Sequence, residues 1–379
     1  MEEKNVNLEN TNNKNSKFFE GILIGILLIA IGACGMYFII QALPGTTIVN
    51  KSEKEVTVNE NGIADAVEKV YDSVVIVTVY KNQKPYGSGS GFIFKRDGNK
   101  YYIMTNNHVA ESADSIKVTL SDDTSYDTTL VGMDKYLDIA VLAFESDKDH
   151  AISEIGSSNN ARVGDTVFTV GAPIDSNVYS WTVTRGILSG KDRKVSVSTS
   201  SNSNVADYIR TALTTDAVIN SGNSGGPLCN SNGEVIGITN MKLVSTGIEG
   251  MSFAIPIDEA MQYANKLING EDVSRPAVGI TMSDIGNSAY LYYYYGIRIP
   301  DNVTSGVLVT SVVKDSPAKS AGIEVGDIVI ELNGTKIESM AEFKYELYKY
   351  KPGDKIKIYV NRDGKEKEIE VTLTKSDQK

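Results

Sequence analysis

The sequence predicts a mostly β protein with at least two folded units behind an apolar N-terminal segment. Three observations carry that prediction. A chain of 379 residues exceeds what a single hydrophobic core usually holds. Short runs rich in Val, Ile, Thr and Tyr recur along it, with 33 Gly and only 9 Pro, as strands joined by turns require. The stretch from Gly21 to Ile40 holds no charged residue, and as a helix it would span roughly 30 Å, the hydrocarbon thickness of a bilayer.

Residues 1–17 are rich in Asn, Lys and Glu and too poor in apolar side chains to offset the entropy of ordering, so a disordered tail is expected there. A membrane-spanning helix is expected over 18–42. Lys14 and Lys17 precede it and Lys51 is the first cation after it, which favours a cytoplasmic N-terminus and an extracytoplasmic body. Two rival readings are weaker. A cleaved signal peptide lacks a clear A-x-A site. A lipid on Cys34, in the lipobox-like Ile31-Gly32-Ala33-Cys34, would leave the apolar run continuing to Ile40 unexplained.

Residues 43–61 read as a linker. Strand-like runs follow at 74–80, 91–95, 101–105, 116–120, 139–144, 166–171 and 235–239, the pattern of a closed antiparallel architecture. The Ser- and Asn-rich stretch 191–206 reads as a long mobile loop, and a helix at Asp258–Ile268 closes this unit, expected at 62–270. A second unit, expected at 272–375, shows strands at 306–313, 327–333, 355–361 and 367–373 and a helix near Ala341–Tyr348. The tyrosine run 292–295 suits packing within an inserted segment better than contact with substrate or membrane.

A net charge of -11 argues against a nucleic-acid partner, which needs a basic surface. Cys34 and Cys229 lie too differently placed to form a disulfide, and with only 2 His no metal site or cofactor is expected.

The chemistry-bearing residues are more specific. Ser224 sits in Gly222-Asn223-Ser224-Gly225-Gly226-Pro227-Leu228, where flanking glycines permit a tight turn that exposes a hydroxyl and brings backbone N–H groups near a bound carbonyl. His108, in Thr105-Asn106-Asn107-His108-Val109, directly follows an apolar strand, as a general base on a rigid support should. Asp138 opens the apolar run Ile139-Ala140-Val141-Leu142, where a carboxylate needs a partner; the Nδ1–H of His108 would serve and would fix the tautomer whose Nε2 accepts the serine proton. The competing Asp134 lies in a more polar stretch and reads as a surface residue. His150, beside Asp147 and Asp149, reads as a solvated loop residue.

The order His, Asp, Ser, the segments TNNHV, DIAVL and TDAVINSGNSGGPL, and GMSFAIP at 250–256 closely resemble the HtrA/Deg (Do-like) family of trypsin-like serine proteases. The resemblance covers about residues 62–375. It implies a chymotrypsin/trypsin-like double β-barrel bearing His108 and Asp138 on the first barrel and Ser224 on the second. It further implies an oxyanion hole from the N–H groups of Gly222 and Ser224. Val218, six residues before the nucleophile, would floor a pocket for small or medium aliphatic side chains, and the segment Met251, Ser252, Phe253 and Ala254 would pair with substrate backbone. Two departures touch the oxyanion loop: Ser221 stands where many members carry Pro, and Gly171-Ala172-Pro173 lacks the usual following glycine. The pattern Ser316-Pro317-Ala318, Ala321-Gly322-Ile323, Gly326-Asp327 and Asn333-Gly334 resembles one PDZ domain, whose carboxylate loop would be Ala277, Val278, Gly279 and Ile280. The resemblance implies a serine endopeptidase that degrades unfolded or mislocalised proteins at the outer face of a bacterial membrane, assembled as a homotrimer, with C-terminal peptides as PDZ partners. The alternative is a PDZ-based peptide-binding or chaperone-like module with minor proteolysis.

Overall fold

The structure is a computed structural model that describes residues 20–32, 63–171, 181–197, 206–240, 251–271, 273–286 and 288–376. It divides into two compact units, Met1–Val58 and Asn59–Lys379. Within the first, residues 20–32 form helix α1, its apolar side chains exposed. Among the described residues no helix is long and apolar enough to cross a membrane. The expected tail, Cys34, the linker and the distal part of the expected span lie outside the described residues.

The second unit opens with helix α2 (Ile63–Tyr71), followed by β1 (Val74–Lys81), β2 (Lys84–Asp97), β3 (Lys100–Thr105), the short helix α3 (Asn107–Ala110), β4 (Ser115–Thr119), β5 (Ser125–Asp134) and β6 (Ile139–Glu145). These strands close into an antiparallel barrel in the order β1-β2-β3-β6-β5-β4. A second closed barrel, ordered β10-β11-β12-β9-β8-β7, comprises β7 (Thr166–Gly171), β8 (Thr182–Val197), β9 (Tyr208–Thr215), β10 (Pro227–Asn230), β11 (Val235–Thr239) and β12 (Ser252–Pro256). Helix α4 (Ile257–Ile268) follows.

Strand β6 explains why its sequence is apolar without alternation. Successive side chains point to opposite faces. Ala140, Leu142 and Phe144 fill the first barrel with Val75, Val77, Ile93 and Ile103. Ile139, Val141 and Ala143 face outward into a core shared with Phe168, Val170, Ile238 and Ile255 of the second barrel and with α2 and α4. Both faces are buried, each fully buried aliphatic contributing about 1.5–3 kcal/mol. The seam between the barrels is therefore rigid, and that is where the candidate site lies. Helix α4 is pinned to it by Asp258, whose Oδ2 accepts from Ser157 Oγ (2.9 Å), Ser158 Oγ (2.9 Å) and the Asn159 amide (2.8 Å).

The expectation of a loop over 191–206 is corrected in part. Residues 191–197 continue β8 and pair with β9, from Arg193↔Ala212 to Val197↔Tyr208. Val195 and Val197 turn inward against Phe253 and Tyr208, an alternation hidden by Lys194 before them and Ser196 between them. Residues 198–205 lie outside the described residues.

The C-terminal part contains β13 (Pro276–Ala277), β14 (Ile280–Asp284), α5 (Ser288–Tyr295), β15 (Val307–Val312), α6 (Pro317–Ala321), β16 (Ile328–Leu332), β17 (Thr335–Lys336), α7 (Met340–Leu347), β18 (Lys355–Arg362), β19 (Lys365–Thr372) and β20 (Thr374–Lys375). Its main sheet runs β14-β15-β16-β18-β19, with β17 on β16, and β13 pairs with β20. The tyrosine run does not serve packing as expected. It lies on α5 with Tyr293 and Tyr294 81% and 64% exposed, and only Leu291 of that helix is buried, against Ile285, Leu308 and Ile328.

Candidate active site

His108 rides on α3, three residues beyond the buried end of β3 at Thr105 and two beyond the buried cap residue Asn106. Its Nδ1 lies 2.7 Å from Asp138 Oδ2, and its backbone amide donates to Asp138 Oδ1 at 2.8 Å. Asp138 adopts φ 57, a left-handed conformation that Asp tolerates better than most residues. Asn106 Nδ2 holds that backbone by donating to the Asp138 carbonyl at 2.9 Å. Burial pushes the Asp138 carboxyl up, but the hydrogen bonds and charge of His108, with the charge of Arg210, outweigh it and hold the group below the usual carboxylate range.

Ser224 occupies the turn between β9 and β10. Gly226 N donates to Asn223 O at 2.9 Å and Gly225 N to Thr239 O at 2.9 Å. Across the seam, Ser90 N donates to Ser224 O at 2.8 Å and Ser90 Oγ to Gly222 O at 2.6 Å, so the first barrel grips the serine turn from both sides. Gly225 (φ 87) cannot be replaced: a Cβ there would lie 2.3 Å from Ser90 O and 2.4 Å from Thr105 Oγ1. An open cavity of about 410 Å³ is lined by Val79, Tyr86, Gly87, Ser88, His108, Val109, Glu111, Ser221, Gly222 and Ser224. The fold thus brings His108, Asp138, Gly222 and Ser224 together from both barrels.

Other expected positions fare differently. Val218 is 55% exposed, its carbonyl accepts Thr184 Oγ1 at 2.7 Å, and it does not line this cavity. Ser252, Phe253 and Ala254 are interior strand residues rather than a free edge: they pair with Thr215, Thr214 and Leu213, Ala254 also pairs with Thr239, and Phe253 O accepts the Asn240 amide at 3.0 Å. Their main-chain groups are committed to the barrel, which corrects the expectation that this segment pairs with substrate. Met251, 39% exposed, precedes the ladder. In the C-terminal part, Ala277 pairs with Thr374, Val278 O accepts Ala318 N at 2.9 Å, Gly279 O accepts Val313 N at 2.9 Å, and Ile280 begins the terminal strand β14.

Two further expectations are corrected, that for Asp134 outright and that for His150, a loop residue but a packed one, in part. Asp134 is no surface group. Both its oxygens accept from Arg275 Nη2 at 2.9 Å, and its Oδ1 also accepts the Leu137 amide at 2.7 Å. Its partner lies 141 residues away, beyond the reach of local polarity. His150 packs edge-on against Tyr101 and Tyr126, with Nε2 2.9 Å from Ser146 Oγ, and burial holds its pKa below the ordinary imidazole value.

Two site residues escaped the sequence reading. Asn240 Nδ2 donates to Asp138 Oδ2 at 2.7 Å. Arg210, 2% exposed, places Nη2 3.7 Å from the same oxygen and donates from Nη1 to Leu137 O at 2.5 Å. A lone cation at an inward position of the strand Tyr208-Ile209-Arg210-Thr211-Ala212-Leu213 was the available signal, since a buried charge demands a partner.

Cys229 is free and buried, and burial drives its thiol pKa far up, which makes it inert. Among the described residues no cluster of three His, Cys, Asp or Glu could hold a metal ion.

A profile of the trypsin-like peptidase domain matches residues 89–238, and one of the PDZ domain matches residues 276–373. The chain is 39% identical over 295 residues to the serine protease Do-like HtrA of Bacillus subtilis (strain 168), covering 77% of this chain and 65% of that relative, just under two thirds. It is 38% identical over 333 residues to the Do-like HtrB of the same organism, covering 84% and 72%. The fold matches the crystal structure of the serine endoprotease from Yersinia pestis with TM-score 0.61 and 30% identity, over 83% of this chain and 98% of that one.

Proposed function

The chain belongs to the HtrA (Do-like) family of trypsin-like serine proteases, and on that premise we propose that it cleaves unfolded or mislocalised proteins with Ser224, His108 and Asp138 as its catalytic triad. The observation that carries this reading is His108, anchored by Asp138, in one cavity with Ser224. Held by Asp138 at Nδ1, the imidazole presents Nε2 to the serine hydroxyl. Ser224 Oγ adds to the scissile carbonyl as His108 takes its proton, and His108 then protonates the departing amine. Water hydrolyses the acyl-enzyme by the same proton transfers in reverse roles. The N–H groups of Gly222 and Ser224 would stabilise the oxyanion, a contribution of about 3–4 kcal/mol per donor in such enzymes. Asn240 and Arg210 hold Asp138 ionised and in place.

The test is digestion of an unfolded protein by the purified chain beside Ser224→Ala. Cleavage by the parent alone supports the triad; equal cleavage by both removes Ser224 from it.

The same proposal extends to the ends of the chain. The apolar helix 20–32 supports anchoring by residues 18–42 with the protease outside the cytoplasm, which intact mass of membrane-extracted protein would test. The left-handed Gly279 (φ 82), where a Cβ would lie 2.3 Å from the Ser316 side chain, supports the 277–280 loop as a carboxylate site beside the edge of β14 that is unpaired among the described residues. Ser224→Ala protein should bind a free-acid peptide ending in an apolar residue and not its C-terminal amide. A homotrimer, the family's assembly, would show as a threefold mass in solution.

A further inference from the structure

The cavity beside Ser224 lies on one side of the nucleophile. His108 must deliver its proton to the departing amine, so the chain beyond the scissile bond leaves past His108 and the helix that carries it. That helix supplies Val109 to the cavity and its C-terminal cap residue supplies Glu111, and the β1–β2 hairpin faces them with Val79 and Tyr86. Val218 and Phe253 contribute nothing to its lining. The walls are therefore those of a leaving-group subsite, distinct from the pocket expected at Val218.

Its chemistry is defined by few groups. Val79 and Val109 are 3% and 8% exposed and offer an apolar wall. Tyr86, 66% exposed, presents an aromatic ring at the mouth. Apart from His108, the charged lining residue is Glu111. Its Oε2 accepts Asn107 Nδ2 at 3.1 Å, and among the described residues it forms no ion pair. Lys81 sits over the outer part of the hairpin, 5.3 Å from the Tyr86 ring centroid and outside the lining. An aliphatic stem ending in a cation fits this set: the stem lies along the valines and the tyrosine ring while the head meets the carboxylate.

We propose that this cavity selects Lys or Arg among the first two residues after the scissile bond, with Glu111 as the specificity-determining residue. The inference rests on the triad reading above. Combined with an aliphatic pocket before the bond, it predicts cuts in which the basic residue follows the cleavage point rather than precedes it.

The experiment compares kcat/KM of the purified full chain on peptides identical except for Lys or Glu at the first or second position after the bond. Attraction for one and repulsion of the other should each contribute about threefold, as partly exposed charge pairs do, so Lys should be favoured about tenfold at one of these positions. Glu111→Gln should reduce the ratio toward one, and Glu111→Lys should invert it. Because the readout is a ratio between substrates, a general loss of activity through the Asn107 contact does not imitate the result. Equal rates for the two peptides at both positions, or an unchanged ratio in Glu111→Lys, would overturn the assignment. Cleavage by Ser224→Ala would instead strike the triad reading, and cleavage of no peptide by the parent would count against both.

Discussion

Asp134 and Asp138 lie four residues apart, at the two ends of one turn, and both are buried, yet they are held by opposite means. Asp134 meets a single guanidinium with both oxygens, and that guanidinium is itself enclosed by Tyr136, Tyr263 and Tyr348 at 4.2, 4.9 and 5.2 Å. Asp138 is shared among the His108 ring, the His108 backbone amide and the Asn240 side-chain Nδ2, with the Arg210 cation kept back at 3.7 Å. A direct bidentate pair fixes a charge and consumes it. Neutral donors with a withdrawn cation keep the carboxylate ionised while its field still acts on the imidazole. One arrangement suits a structural joint and the other a site where a proton must move. The joint also ties domains together, because Tyr348 caps α7, and Lys344 of that helix donates to Asp207 O at 2.9 Å.

The contrast is sharpest where a variant affects one function and spares the other. Ser224→Ala should lower kcat on the order of 10⁶-fold with an unchanged melting temperature. Asp138→Asn should cost on the order of 10⁴-fold in kcat by favouring the wrong imidazole tautomer, again with folding retained. A peptide assay beside a thermal melt measures both, and near-full activity in either variant would remove that residue from the triad. At the joint the balance should reverse. Arg275→Met leaves Asp134 buried and unpaired and should destabilise by about 3–5 kcal/mol in chemical denaturation, whereas Arg275→Met with Asp134→Leu should cost less than the single change. A double variant no more stable than the single would show that the ion pair is not what holds the turn.

Asn240→Ala probes the support of Asp138. Loss of one charge-assisted hydrogen bond should reduce kcat about tenfold while KM stays near its original value. An effect on KM alone would place Asn240 in substrate binding instead.

The smallest effect concerns His150. Burial lowers its folded pKa below the ordinary imidazole value, so the folded state binds its proton less readily than the unfolded chain. Its contribution to stability is therefore complete above the unfolded pKa and is lost as pH falls through the folded one. Denaturation from about pH 7.5 down to about pH 5 should show a steeper decline than His150→Gln does. Parallel curves would mean that His150 titrates alike in both states.

Much of the site was legible because its constraints are local. The Gly-Asn-Ser-Gly-Gly turn, a histidine ending an apolar strand and an aspartate opening another each satisfy a requirement within a few residues, and alternation located most strands. The apolar run 139–144 shows where that reading stopped: its strand was evident, but which face met which barrel was not. The surface assignment of Asp134, the part 191–197 of the loop assigned to 191–206, and the part 252–254 of the substrate segment assigned to 251–254 failed together, for one reason. Burial, pairing and free edges are properties of segments that meet from distant parts of the chain. Arg275 reaches Asp134 across 141 residues and Asn240 reaches Asp138 across 102, and the short-range pattern around either partner carries no trace of the other. The sequence by itself determined which side chains can do the chemistry; only the closure of two barrels against each other decided what surrounds them, because that closure sets their distances and removes their water.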